Sequence, residues 1–484
     1  MSGLSQKPGS GLSPKPGSGL SPKPGSGLSP KPSSGLSPKP SSGLFTKPGS
    51  GLLNKIRNGG PGWLQGAMTL GGGSAITSLT IGAVFGYEFL WVQPVSMIVG
   101  CIMLFALAHQ TLSTGERPFV AMKLHFSPTL AWLWAIAALG SSVIWGFSHY
   151  PLSAGMLEEA VEVITGFQLK GEDETMVREI YLFGLAVFVW VICASAVWHY
   201  GKGLRAVRLF ENGIKVLSVT IILSFAWVVV SASMNGSINW VVVLWGFVPH
   251  SLPDDALGVT TMMAALGTAV GINMTFVYGY TMLRRGWGRD DRELARFDIV
   301  LGLVIPYLVV TSLVSIAAAA TLHGGDATVQ ARLAPAQASS MFAAVGMGDL
   351  VGRLIFPLGV LGMAAGSLVM HMLTCGAAAM EMFHLEEDSI QYRLACLIPT
   401  PAVLGVFLWS SMGPYVILPT SAFCGLLLPI AYIGWLVLNN REDYLGDDRP
   451  RGNRALVYNI AMVTCVFTVI ASVVYSTSVG LGWL

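Results

Sequence analysis

Apolar residues run in long blocks along this chain, and the blocks set its architecture. From residue 59 onward eleven apolar stretches of helical length recur, centred near residues 75, 98, 140, 188, 222, 270, 308, 364, 402, 426 and 466. A helix needs roughly 20 apolar residues to cross a hydrocarbon layer. Two of the stretches are interrupted. The first reads LGGGSAI at residues 70–76, and the sixth reads LGTAVGINMTFVYGY at 266–280, with Gly271 and Asn273 inside the apolar run. Glycine costs about 1 kcal/mol in a helix relative to alanine, so three in a row mark a place where a helix stops. The breaks lie five spans apart, at corresponding positions of two halves. Paired interruptions of this kind are the sequence mark of an inverted-repeat transporter whose substrate sits near the midplane.

The pattern therefore predicts an all-α polytopic membrane protein with about eleven transmembrane helices. Discontinuous helices are expected at Gly71–Ser74 and Gly271–Met274, facing each other, with new helices starting near Ala75 and after Asn273. Unwinding frees backbone N–H and C=O groups where little else is polar, and a bound solute can satisfy them. The alternative is close helix packing through small residues.

Composition agrees with the membrane reading. The chain has 484 residues, 53% hydrophobic and only 11% charged, and its mean hydropathy is +0.62. A soluble domain carries about 25% charged residues. Residues 1–58 differ: an eight-residue repeat, GSGLSPKP, supplies Lys-Pro pairs and no acidic residue. This tail has no apolar face and is expected to be disordered, either as a solvated linker or as a basic tether for anionic lipid. Residues 59–484 form the membrane domain. Alternate loops carry the basic residues: Arg117 and Lys123; Lys202, Arg205 and Arg208; Arg284 to Arg296; Arg441 to Arg454. Basic loops belong on the cytoplasmic side, so the N-terminus is expected inside and the C-terminus outside, with the cell membrane as location. The loop HLEEDSIQYR fits that assignment poorly. The six cysteines lie in or beside apolar stretches without metal-finger spacing, as buried free thiols do.

Several stretches carry a family resemblance. GPGWL at 60–64, GAVFGYEFLW at 82–91, NWVVVLWGFVPHSLPDD at 239–255, LGTAV at 266–270 and GWGRDDRELARF at 286–297 resemble the Nramp family of divalent-metal transporters. The resemblance implies a LeuT-like fold of ten core helices in two inverted repeats, often with an eleventh. It also implies import of manganese, iron or similar ions coupled to protons. The family's first break reads Asp-Pro-Gly-Asn, and its Asp and Asn are metal ligands; the matching positions here are Gly71, Gly72, Gly73 and Ser74. In the sixth span the family reads Ala-x-x-Met-Pro-His, where this chain has Thr268, Gly271, Ile272 and Asn273. The acidic pair of the family's third span has no counterpart in SSVIWGFSHYPLSAG, which offers only His149, and a polar position of the tenth span is apolar near Leu427.

The expected substrate site is therefore Gly71, Gly72, Gly73, Ser74, Thr268, Gly271 and Asn273. Met274 stands one residue from Asn273, and a one-residue step turns a helical side chain by about 100°. A transition-metal dication wants anionic or soft ligands, and no fixed negative charge remains at these positions. Two substrate classes follow. One is the family's metal ions, bound through carbonyls and water. The other is a small anion such as bicarbonate or a carboxylate, held by bare glycine N–H groups at the helix N-termini. A third expectation is a non-transporting sensor or interaction protein that keeps the fold. Ser367, His371, Thr374 and Glu381 share one face of the eighth span. His371 and His149 are candidates for a proton pathway, against interhelical hydrogen bonding as the alternative. GGGS lacks a following Lys and a preceding strand, so it is not a phosphate loop. No enzyme signature, cofactor or nucleic-acid partner is expected.

Overall fold

The computed structural model describes residues 59–167, 175–199, 204–324, 353–354, 356–387, 389–412 and 417–482. The repeat tail assigned to residues 1–58 lies outside the described residues, as do Lys202 and most of the acidic stretch at 168–174.

The first span is two helices, α1 (Pro61–Thr69) and α2 (Gly72–Phe85), bent by 51° at the break. Gly71 caps α2 in an extended conformation. The helix restarts at Gly72 and not near Ala75, so Gly72, Gly73 and Ser74 form its first turn. The reason is that first-turn N–H groups have no i−4 partner in any helix, so glycines there sacrifice no ladder bond. Next come α3 (Val92–Thr114), α4 (Pro118–His125) and α5 (Pro128–Thr165). Helix α5 opens on a Ser127 cap whose hydroxyl accepts the Leu130 N–H, and it stops at Gly166 in the left-handed region. Helices α6 (Thr175–His199), α7 (Leu204–Met234) and α8 (Trp240–Gly246) complete the first half.

The sixth span repeats the break. Helix α9 (Ala256–Ala269) starts on Asp255, whose carboxylate accepts the Gly258 N–H. Val270 and Gly271 are extended, and α10 (Ile272–Arg284) follows. The restart again falls earlier than expected, at Ile272, which places Asn273 inside the first turn. Then come α11 (Arg292–Ile299), a π-helical stretch at Val300–Val304 and α12 (Ile305–Leu322). They are followed by α13 (Phe356–Phe383), α14 (Ile390–Cys396), α15 (Gly405–Met412), α16 (Ile417–Leu426), α17 (Leu428–Leu438), α18 (Glu442–Leu445) and α19 (Gly452–Gly480).

Among the described residues nine helical spans are long and apolar enough to cross a membrane, and the bent α1–α2 pair makes ten. The expected span near residue 222 corresponds to α7, whose apolar part, Ile222–Met234, is shorter. Each of the eleven predicted centres thus falls in or beside a helix. Large apolar residues stay exposed on α6 (Phe188, Val191, Ile192) and α19 (Val457, Ile460, Phe467), as a multi-pass integral membrane protein requires. All six cysteines are buried free thiols.

Ion pairs sort the loops into two sets. Arg117 pairs with Glu381 at 3.1 Å, Arg284 with Glu387 at 3.6 Å, and Arg289 and Arg292 with Asp448 at 2.7 and 3.1 Å. The start of α1 joins the same set, because the Asp298 carboxylate accepts the Gly60 and Gly62 N–H groups. At the opposite ends of α5 and α13, Arg353 holds Glu159 at 2.9 Å and Glu162 at 2.7 Å. The acidic loop HLEEDSIQYR that fitted poorly therefore meets the basic loops and neutralises part of them.

Candidate functional site

The two breaks face each other. The Thr69 hydroxyl, at the end of α1, donates to the Ala269 carbonyl at 3.0 Å and to the Met274 sulfur at 3.3 Å. Between them lies a cavity of about 20 Å³ to water centres, room for one or two water molecules. The first span contributes Met68, Thr69, Gly73 and Ser74 to its wall, and the sixth Gly267, Thr268, Asn273 and Met274. The long helices α5 and α13 complete it with Trp145, His149 and His371. Of the expected site residues, Gly73, Ser74, Thr268 and Asn273 line the cavity together with both histidines; Gly71, Gly72 and Gly271 supply backbone beside it.

The glycines serve a close approach. A Cβ at Gly71 would stand 2.6 Å from His149 Nε2, one at Gly72 2.4 Å from Leu152 Cδ2, and one at Gly73 2.3 Å from Trp145 Cη2. Trp145, His149 and Leu152 are spaced by four and three, one face of α5, and this face lies flat on the bare backbone of the break. His149 thus occupies the space that a side chain at position 71 would fill.

Hydrogen bonds fix both imidazoles. His149 Nδ1 lies 2.8 Å from the Trp145 carbonyl, which only accepts, so Nδ1 carries the proton. Its Nε2 is then a lone pair, and it accepts the Gly72 N–H at 3.3 Å. His371 Nδ1 accepts from the Asn273 amide at 2.8 Å. His371 Nε2–H donates to Ser367 Oγ at 3.2 Å, whose own proton goes to the Met68 carbonyl, freed by the break. Both rings are neutral donors, with centroids 5.4 Å apart, and Trp145 stacks on His371 at 6.2 Å. The Ser74 hydroxyl donates to the Gly71 carbonyl and so bonds back across the break. Met274 Sδ accepts the Gly271 N–H at 3.3 Å. Its sulfur therefore reaches the break despite the turn between positions 273 and 274. Helical side chains lean toward the N-terminus, and a methionine has three rotatable bonds with which to do so.

Trp145, Thr69, Met68, Gly267 and Met274 are the wall residues that the expected site left out. A usable signal was present for one face only, the 145–149–152 spacing around a lone histidine. The residues grouped on the eighth span separate: Ser367 and His371 enter the site, Thr374 bonds back to Met370, and Glu381 sits ten residues away against Arg117. No three His, Cys, Asp or Glu side chains gather at one place among the described residues.

Two helix breaks meeting across a midspan cavity, in two halves of five spans, define an inverted-repeat secondary transporter of LeuT-like fold. Residues 62–477 match the family described as natural resistance-associated macrophage protein-like, Nramp. The chain belongs to the Nramp family. It is 21% identical over 434 residues to the divalent metal cation transporter MntH of Chromohalobacter salexigens, covering 87% of this chain and 91% of that one. The manganese transporter of Eremococcus coleocola superposes with a TM-score of 0.68 at 15% identity over 92% of each chain. MhsT, solved with L-phenylalanine, has the same fold at a TM-score of 0.58 and 13% identity, covering 89% of this chain and all of that one.

Proposed function

We propose that this protein is a secondary transporter carrying a single metal cation across the cell membrane, bound between the α1–α2 and α9–α10 breaks. The observation that carries the reading is the cavity itself. Both breaks build it, it holds only one or two waters, and its wall offers sulfur, imidazole, amide and hydroxyl donors. The metal class comes from family membership and from the names of its relatives, which transport manganese or divalent metal cations. The anion expectation is set aside, because the relatives are metal cation transporters by name.

Alternating access is supported by the ion pairs at the two ends of α5 and α13. Arg353 with Glu159 and Glu162 closes one end and Arg117 with Glu381 the other. The loops gathered around Arg117, Arg284, Arg289 and Arg292 carry the basic excess, which supports a cytoplasmic location for them and for residue 59. The C-terminal helix then ends outside, where Tyr475 donates to the Pro253 carbonyl. Lipid is the partner of the exposed apolar faces of α6 and α19. His149 and His371 are the groups on the path that could carry a coupled proton.

The test is flux of a panel of monovalent and divalent metal cations into proteoliposomes holding purified protein, against protein-free vesicles. Protein-dependent accumulation of at least one cation is expected. Binding with no flux of any of them, in protein shown to be folded, would make this a sensor and overturn the proposal.

A further inference from the structure

The cavity wall has a chemistry that sorts metal ions. Its side-chain donors are two imidazoles, one amide, the three hydroxyls of Thr69, Ser74 and Thr268 and the Met274 thioether, with Met68 on the same wall. No carboxylate or thiolate lines it. Manganese and magnesium favour carboxylate, carbonyl and water oxygens, whereas thioether favours soft cations such as cuprous ion and imidazole suits copper as well as zinc, iron and nickel, so copper is the metal both ligand types accept. Charge argues the same way. The cost of stripping water from an ion rises with the square of its charge, so a dication costs about four times as much as a monovalent ion in a site without anions to offset it.

We infer that the site takes a soft monovalent d10 cation, cuprous ion or its redox-inert analogue silver, on His149 Nε2, His371 Nδ1 and Met274 Sδ. The inference rests on the transport reading above and names its cargo. Three observations carry it. His149 gives its Nδ1 proton to the Trp145 carbonyl, leaving the Nε2 lone pair at the break; metal-binding histidines are held by such a bond on the far nitrogen. His371 gives its Nε2 proton to Ser367, leaving the Nδ1 lone pair toward Asn273. The ring centroids stand 5.4 Å apart; two imidazoles on one ion with metal–nitrogen bonds of about 2 Å would place them roughly 5 Å apart at a tetrahedral angle. Neutral donors occupy all three ligand atoms: the Gly72 N–H at 3.3 Å on His149, the Asn273 amide at 2.8 Å on His371, and the Gly271 N–H and Thr69 hydroxyl at 3.3 Å on the Met274 sulfur. A cation displaces them without breaking a helix.

The experiment is competition for Cu(I), and separately Ag(I), between the purified full-length protein and a chromophoric cuprous chelator in detergent. Manganese and zinc are titrated in parallel by calorimetry. Because six buried cysteines could also bind these ions, all measurements are repeated with the six replaced by alanine. One equivalent should bind in both backgrounds, with nitrogen and sulfur scatterers in the X-ray absorption spectrum, and at least 100-fold more tightly than manganese or zinc. Met274→Leu keeps the volume and should weaken Cu(I) and Ag(I) binding at least tenfold. His371→Gln should do the same, and thermal unfolding of both variants checks that they are folded. Loss of binding in the cysteine-free protein, no effect of Met274→Leu in folded protein, or equal affinity for zinc or manganese would each overturn the assignment. Flux of another cation without soft-ion binding would overturn the assignment and leave the transport reading standing; soft-ion binding without flux would do the reverse.

Discussion

Replacing Gly71 by alanine tests whether His149 has taken the space of the missing side chain. The new Cβ would lie 2.6 Å from His149 Nε2, 3.1 Å from Ser367 Oγ and 3.2 Å from the Met68 carbonyl. The backbone at Gly71 is extended, at φ −75° and ψ −168°, so alanine meets no backbone strain there and the largest part of the effect comes from the imidazole, with smaller parts from Ser367 and the Met68 carbonyl. His149 cannot simply retreat, because its Nδ1–H is held by Trp145. Overpacking of this kind costs about 1–3 kcal/mol. An unfolding entropy of about 2 cal/mol/K per residue makes each kcal/mol worth roughly 1 °C in a domain of this size. Gly71→Ala should therefore lower the Tm by about 1–3 °C. With His149→Ala already in place, the same substitution should cost markedly less, only the tight Ser367 and Met68 contacts remaining, giving a coupling of about 1–2 kcal/mol in a double-mutant cycle. The cycle is measured by unfolding in detergent micelles, all four proteins side by side. Additivity within about 0.5 kcal/mol would show that His149 does not fill the position and would refute the reasoning. By the same logic Gly71→Asp should gain manganese binding only together with His149→Ala.

Three further outcomes follow from the fold. Asp298→Ala should destabilise the protein by about 3 kcal/mol, since it orphans the Gly60 and Gly62 N–H groups and bonds to a charged acceptor are worth about 1.5–3 kcal/mol each; thermal unfolding checks it, with Asp298→Asn intermediate. Burial alone would raise the Asp448 carboxyl, but the Arg289 and Arg292 guanidiniums outweigh it and hold it below the usual carboxylate range. A depressed carboxylate stabilises above its unfolded pKa of about 3.9, so this loop contact should persist from neutral pH down to about 4 and be lost below, as hydrogen exchange at residues 446–448 would show. The six cysteines, all buried, should resist a polar maleimide in native protein and all react after denaturation.

Much of the architecture was readable because it is local. A run of apolar residues long enough to span a bilayer declares itself, and three glycines inside such a run declare a break. Where each helix restarts was less legible. The rule that glycine disfavours helix does not apply in a first turn, so Gly72, Gly73, Ser74 and Asn273 are helical where an unwound stretch was expected. The site was half legible. Ser74, Thr268, Asn273, His149 and His371 could be named singly, each from its own segment. That His149 and His371 stand against each other, with Trp145 wedged onto the glycines, depends on how α5 and α13 meet the break, and no spacing within one helix encodes that meeting. Met274 was passed over by a periodicity argument that holds for Cβ directions and fails for the end of a long, flexible side chain.

The neutrality of the cavity wall has an electrical consequence. A carrier whose empty site has no charged side chain moves no charge when it reorients without cargo. With cargo aboard it moves the whole charge of the ion, and the membrane potential acts at about 2.3 kcal/mol per elementary charge per 100 mV. A carboxylate at position 71 would spread that work over both strokes, carrying negative charge on the return. With Gly71 in its place and His149 and His371 both neutral, voltage drives the loaded stroke alone. A proton carried on His149 or His371 together with the cargo, as proposed above, would add its charge to the loaded stroke, while the return of the empty carrier would stay insensitive to the potential.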